Sequence, residues 1–205
     1  MAEAAGDWKL VGKTALLFVH MQNAIVKAPS PLEPLGHIRA TEEDKVIPQM
    51  EKLLAAFRAK GMPVVFVNAY TPEGVKLPVY GRFWPAVSRQ RVNYLDTPDV
   101  QVIDELKPQA GEPVFYNWPF GIFEGGNDLG KYFAEQGIET VVLAGVATGM
   151  AVGTAAFALA DRLLNLIVPS DTATDGNKAL HDMIFTAMLP AIALVTTTDD
   201  VIAHL

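Results

Sequence analysis

His20 closes an apolar run, residues 14–20 (TALLFVH), and histidine is the side chain whose ordinary pKa suits proton transfer near neutrality. It reads either as a general acid/base or as a hydrogen-bonded structural residue. Asn117 follows a second short apolar stretch, where it can orient a substrate or bond His20, or simply turn the chain. Glu124 is the nearest carboxylate to that segment, a second acid/base or an exposed loop charge. Trp84, Trp118, Phe120 and Phe123 can stack on an aromatic ligand, and pack equally well into a core or an interface, the reading preferred for Phe123. The glycines and alanine of residues 145–153 (GVATGMAVG) leave side-chain volume empty at Gly149, Ala151 and Gly153, which suits a widened pocket or close helix packing. Arg82, Arg89 and Arg91 can clamp a carboxylate or lie solvated. His181 is expected on a partly exposed helix face, His37 in a loop and His204 at the terminus.

Composition removes several chemistries. The 205 residues include no cysteine, so a thiol nucleophile, a disulfide or a thiolate metal site is excluded. A net charge of −7 and the lack of a basic run argue against a nucleic-acid partner. Every long apolar stretch is broken by Gly, Thr, Asp or Pro, so no membrane span is expected. The opening MAEAAGDWKL has no basic stretch followed by an apolar one, so no secretory signal is expected and a cytoplasmic location is.

The elements that must position these residues alternate. Apolar runs at 14–20, 63–69, 113–116, 140–146, 165–169 and 192–196 read as strands, the first two without polar alternation and therefore buried on both faces. Helices are expected at 41–60, capped by Thr41 and ended by Gly61, at 126–136, from residue 148 onward, and at 177–189. Residues 70–95, rich in Pro, Gly and aromatics, read as an irregular functional loop or an arm packing on another subunit. Alternating βα units imply an α/β fold with a mainly parallel sheet in one domain, residues 1–205. Ligands of such folds lie beyond the carboxyl ends of strands, which selects the segments from His20, Asn117 and Val146 onward.

Three segments carry a resemblance. ALLFVHMQN (15–23), NWPFGIF (117–123) and GVATGMAV (145–152) are similar, in order and spacing, to motifs of the isochorismatase-like (cysteine hydrolase) superfamily. The resemblance covers roughly residues 12–204 and implies a three-layer α/β/α fold, usually oligomeric, here a homodimer or larger homo-oligomer. It also implies a cis Val146–Ala147 peptide and a structural role for an acidic residue near Asp171 or Asp175. His20 stands at the position of the family's aspartate, Asn117 at that of its lysine and Ala151 at that of its cysteine. Residues 68–70, NAY, lack the Asp-x-His pair of metal-binding relatives, so neither metal nor other cofactor is expected.

Two functions follow as expectations. In one, His20 is the acid/base, Asn117 or Glu124 assists it, and the backbone of Val146, Ala147 and Met150 beside Ala151 stabilises negative charge. The substrate is then a small molecule, aromatic or phenolic, stacked on Trp84, Trp118 or Phe120, and the reaction an elimination of lyase type or a non-covalent hydrolysis, such as the vinyl-ether hydrolysis some relatives perform without cysteine. The expected pH dependence is a single imidazole ionisation at mildly acidic to neutral pH. In the other, the chain binds a small molecule or a protein without catalysis.

Overall fold

The computed structural model describes residues 7–81, 83–88, 92–118 and 120–205; Arg82, Arg89 and Arg91 lie outside them. In chain order the strands are β1 (Lys13–Val19), β2 (Val64–Ala69), β3 (Val114–Asn117), β4 (Ile138–Val146), β5 (Asn165–Pro169), β6 (Ala173–Thr174) and β7 (Leu194–Thr196). The helices are α1 (Asn23–Val26), α2 (His37–Glu43), α3 (Val46–Ala59), α4 (Phe83–Ser88), α5 (Leu129–Gln136), α6 (Gly153–Ala160), α7 (Lys178–Met183) and α8 (Thr198–Ala203).

Every strand pairing in the sheet is parallel, in the order β3-β2-β1-β4-β5-β7, with β6 extending the pairing of β4. Side chains alternate across it, as the period of two requires. Leu16, Phe18, Val64, Phe66, Val142 and Ala144 enter one core with Met50, Leu53 and Phe57 of α3. Ala15, Leu17, Val65, Val67, Val141 and Leu143 enter the other with Phe133 of α5 and Ala155, Ala156 and Leu159 of α6. A sheet covered on both faces explains why β1, β2 and β4 read as unbroken apolar runs. The result is a three-layer α/β/α arrangement.

Two expectations need correction, one helix is refined, and one further element follows those expected. The helix expected at 41–60 is two helices, with Lys45 left-handed between them at φ 52°. Pro48 is the cause: in a continuous helix its ring would meet the carbonyl of Asp44, whereas in the first turn of α3 it is tolerated. Thr41 therefore lies inside α2 and donates to the His37 carbonyl at 2.8 Å instead of capping. The stretch at 70–95 contains α4. The helix expected at 177–189 is α7 followed by a π-helical turn, Ile184–Met188. Finally, α8 follows β7, its first turn capped by Thr197. Among the described residues no helix is long and apolar enough to cross a membrane.

The chain order reverses between β1 and β4, the neighbours from which the sheet grows in both directions. Crevices for ligands form at such switch points, outside the carboxyl ends of the two strands. The residues leaving β1 and β4 are His20 and Ala147. The strands approach closely there: a Cβ on Gly145 would stand 2.3 Å from the Val19 carbonyl oxygen, so the position admits no side chain.

Candidate active site

His20 leaves β1 in a left-handed conformation (φ 56°), anchored by its N–H to the Val67 carbonyl at 2.8 Å. Its side chain is 6% exposed and its Nε2 lies 3.0 Å from Asn117 Oδ1. Asn117, fully buried at the end of β3, donates from Nδ2 to the Gly121 carbonyl at 3.2 Å. That bond fixes the amide, so Oδ1 must be the atom facing His20 and Nε2 must carry the imidazole proton. Nδ1 is left as the basic lone pair. Burial lowers the His20 pKa from 6.5 to about 4, against the smaller opposing effect of the Asn117 bond. The imidazole is therefore neutral at neutral pH, and the expected ionisation in the mildly acidic to neutral range is displaced downward.

His20 faces a cavity of about 40 Å³. Its floor is buried: His20, Val146, Ala147, Ala151 and Asn93, with Ile25 beside them. Its mouth is partly exposed, formed by Phe83, Phe120, Met150, Leu35 and His37. A cavity that takes a benzene ring measures roughly 150 Å³. In this conformation the space therefore accepts a few heavy atoms, and an aromatic ring fits only at the mouth.

The far wall is the turn that leaves β4. The Val146–Ala147 peptide is cis. The Ala147 carbonyl accepts from both Ala151 N–H (2.9 Å) and Val152 N–H (3.1 Å), which winds the π-helical turn Thr148–Val152. Gly149 N–H donates to Asp175 Oδ2 at 2.7 Å. Ala147, which precedes this turn, and Met150 within it both line the cavity.

The structure thus brings His20, Asn117, Val146, Ala147, Met150, Ala151 and Phe120 together and leaves out three expected residues. Glu124 is exposed and outside the cavity lining, because it closes a tight turn through its N–H to the Gly121 carbonyl at 2.9 Å. Trp84 and Trp118 also lie outside the lining; they pack on one another at 5.7 Å, and Trp84 on Phe120 at 5.4 Å. Phe83, beside Trp84, takes the mouth position instead. The volume missing at Gly149 and Gly153 does not widen the pocket. A Cβ there would meet Leu180 at 2.6 Å and Met188 at 3.1 Å, so α7 and the following turn fill that space.

Several side chains that the sequence left unassigned shape the site. Gln22 is fully buried and joins β1 to β2: its Oε1 accepts from Ala69 N–H at 2.7 Å, and its Nε2 donates to Asn93 Oδ1 at 2.9 Å. His37 belongs to α2 and to the cavity mouth, not to a loop remote from it. His181 is buried and paired with Thr148 Oγ1 at 2.8 Å, unlike the half-exposed residue expected. Asp171 accepts from Thr198, and Asp175 from Gly149 and Asn177. Gln22 had a local signal, as a polar residue three positions after a buried strand, and the resemblance had pointed to a structural acid near Asp171 or Asp175. Among the described residues no group of three or more His, Asp or Glu is placed to hold a metal.

A parallel sheet between two helical layers, with a buried polar pair and a small cavity at its switch point, defines an α/β/α protein with a candidate small-molecule site. The chain belongs to the isochorismatase domain family, whose profile matches residues 14–200. It is 31% identical over 159 residues to the ureidoacrylate amidohydrolase RutB of Pseudomonas savastanoi pv. phaseolicola, covering 69% of this chain but only 62% of RutB. It is 27% identical over 197 residues to the uncharacterized isochorismatase family protein YecD of Escherichia coli O157:H7, covering 92% of this chain and 94% of YecD. The fold matches that of a cysteine hydrolase from Pseudomonas syringae pv. phaseolicola 1448A with a TM-score of 0.80 at 21% identity, over all of this chain and 98% of the other.

Proposed function

We propose that this chain is a hydrolase-like enzyme that works without a thiol and without a cofactor, using His20 Nδ1 as a general base at a carbonyl centre. The observation that carries the reading is the His20–Asn117 pair, which holds a neutral imidazole with one nitrogen committed and the other free in a cavity. His20 takes a proton from water. The water oxygen adds to the carbonyl carbon, and the resulting oxyanion accepts from the amides of Ala147 and Met150. Collapse expels the leaving group, which recovers the proton from His20. Atoms balance with no covalent enzyme intermediate, as the alanine at position 151 demands. The same base, acting on a substrate hydroxyl, serves the lyase-type elimination.

An aromatic or phenolic substrate remains part of this reading in a narrower form: the reacting group enters the cavity while the ring rests at the mouth on Phe83 and Phe120. The assembly is a homo-oligomer, a reading supported by exposed apolar side chains such as Val79, Tyr80 and Leu163. The alternative, a non-catalytic binder of a small molecule or protein, is favoured by the replacement of all three family triad residues, by His20, Asn117 and Ala151. Turnover of phenyl acetate separates the two. His20→Ala should lower kcat by about 10²–10⁴-fold, the contribution of a positioned proton-transfer group; an unchanged kcat would remove His20 from the chemistry.

A further inference from the structure

The cavity has a second histidine whose protonation pattern is the complement of the first. His37 opens α2 and lies at the cavity mouth, where its Nδ1 accepts the Gly176 N–H at 3.3 Å. A nitrogen that accepts a backbone N–H carries no proton, so in the neutral ring the proton is on Nε2. His20 is held the other way round, with Nε2–H committed to Asn117 and Nδ1 open. One imidazole thus supplies an acceptor and the other a donor.

The placement of His37 is built and specific. Gly36 and Gly176 let the two segments touch: a Cβ on Gly176 would stand 2.1 Å from the Leu35 carbonyl oxygen, and one on Gly36 would stand 3.2 Å from the Gly176 Cα. The residue before Gly176 is Asp175, whose carboxylate accepts from Gly149 N–H and Asn177 N–H. Asp175 thereby ties the turn of the far wall to the segment that holds His37. Its negative charge acts on His37, and burial outweighs it, keeping the His37 pKa below the ordinary value and the ring neutral. The described lining residues include no Lys, Arg, Asp or Glu. Among the described residues of the lining a carboxylate finds no countercharge; Asp175 lies behind the mouth, and Arg39, near Gly36, is paired with Glu43. A neutral carbonyl finds a donor at no electrostatic cost.

We infer that His37 is a catalytic residue that donates from Nε2 to the carbonyl oxygen of the substrate, and that the His20–His37 pair selects neutral acyl compounds, such as amides, esters or ketones, over carboxylates. No proton leaves His37 in this role; it polarises the carbonyl while His20 moves the proton. The inference rests on the proposed function for its chemistry, but its binding claim stands apart from turnover.

The test uses the whole protein, with acetamide and acetate as probes. Long-range ¹H–¹⁵N spectra should give His37 as the Nε2–H tautomer at neutral pH, and acetamide should shift its signals. Acetamide binding should weaken by about tenfold or more in His37→Phe and stay within about threefold of wild type in His37→Gln, which keeps a donor; tenfold is the loss of one useful hydrogen bond. Acetate should bind more weakly than acetamide. The Nδ1–H tautomer, no acetamide response at His37, equal acetamide binding by His37→Phe, or tighter binding of acetate would each overturn the inference. If these results fail while phenyl acetate turnover still depends on His20, the base mechanism survives without His37. If they hold while wild type turns over no ester, the binding claim stands and the catalytic roles of both His20 and His37 fall.

Discussion

Burial of His20 predicts an acid-dependent loss of stability that one substitution should erase. The folded pKa is lowered from 6.5 to about 4, by desolvation of a ring with no charged partner. The unfolded chain therefore binds the proton first. Stability is intact above about pH 6.5 and is lost as pH falls towards about 4. At about 1.36 kcal/mol per unit, the full loss is ~3 kcal/mol, most of it developed by about pH 4.5. In a chain of this size that corresponds to roughly 6–12 °C in Tm. The comparison is His20→Asn, because asparagine tolerates the left-handed backbone at this position (φ 56°) and does not titrate. His37 and His181, also held below their ordinary pKa by burial, contribute in the same direction but are common to both proteins and cancel. Calorimetric melts of the two proteins from about pH 7.5 to about pH 4.5 should diverge, wild type losing Tm faster. Parallel lines would mean that His20 is hydrated or charged in the native state, and the neutral-base mechanism would fail with it.

Two further substitutions probe the frame around the site. Asn117→Leu should cost about 1–3 kcal/mol in urea melts, because it strands the buried Nε2–H of His20 and the Gly121 carbonyl; a smaller cost would place water between these groups. Gly176→Ala should destabilise by about 1–3 kcal/mol through contact with the Leu35 carbonyl. It should also weaken acetamide binding by displacing His37, and normal binding in a destabilised variant would show that the Leu35–Gly176 contact does not position the ring.

Much of the fold was legible because the sheet is covered on both faces. β1, β2 and β4 are apolar at consecutive positions, which few other structures require, and their parallel pairing follows from the helices between them. The break between α2 and α3 was harder, since it falls at Lys45, just ahead of the helical spacing of Val46, Met50, Leu53 and Phe57, and its mark, Pro48, lies inside that spacing. Proline is compatible with the first turn of a helix, so the same residue marks either a start or an interruption, and periodicity alone does not say which. The π-helical turns at Thr148–Val152 and Ile184–Met188 carry no sequence mark that distinguishes them from ordinary helix.

The site divides along a different line. His20, Asn117 and the 146–151 turn were legible because each sits at the carboxyl end of a strand, and the topology alone brings such ends together. Glu124, Trp84 and Trp118 were chosen for chemical type and nearness in sequence, and neither controls direction: one tight turn suffices to send Glu124 outward. His37 is the reverse case. Nothing around it marks an active-site residue, and it lies 139 residues from the Gly176 N–H that orients it. Its signal is in the contact between two glycine-bearing segments, each ordinary by itself. The Asp175 carboxylate holds Gly149 and the N–H of the next residue, Gly176, holds His37, so wall and donor are positioned by one short segment. On the proposed reading this frame presents an acceptor, His20, and a donor, His37, to the same small space, and the opposite tautomers of the two rings are what the reading requires.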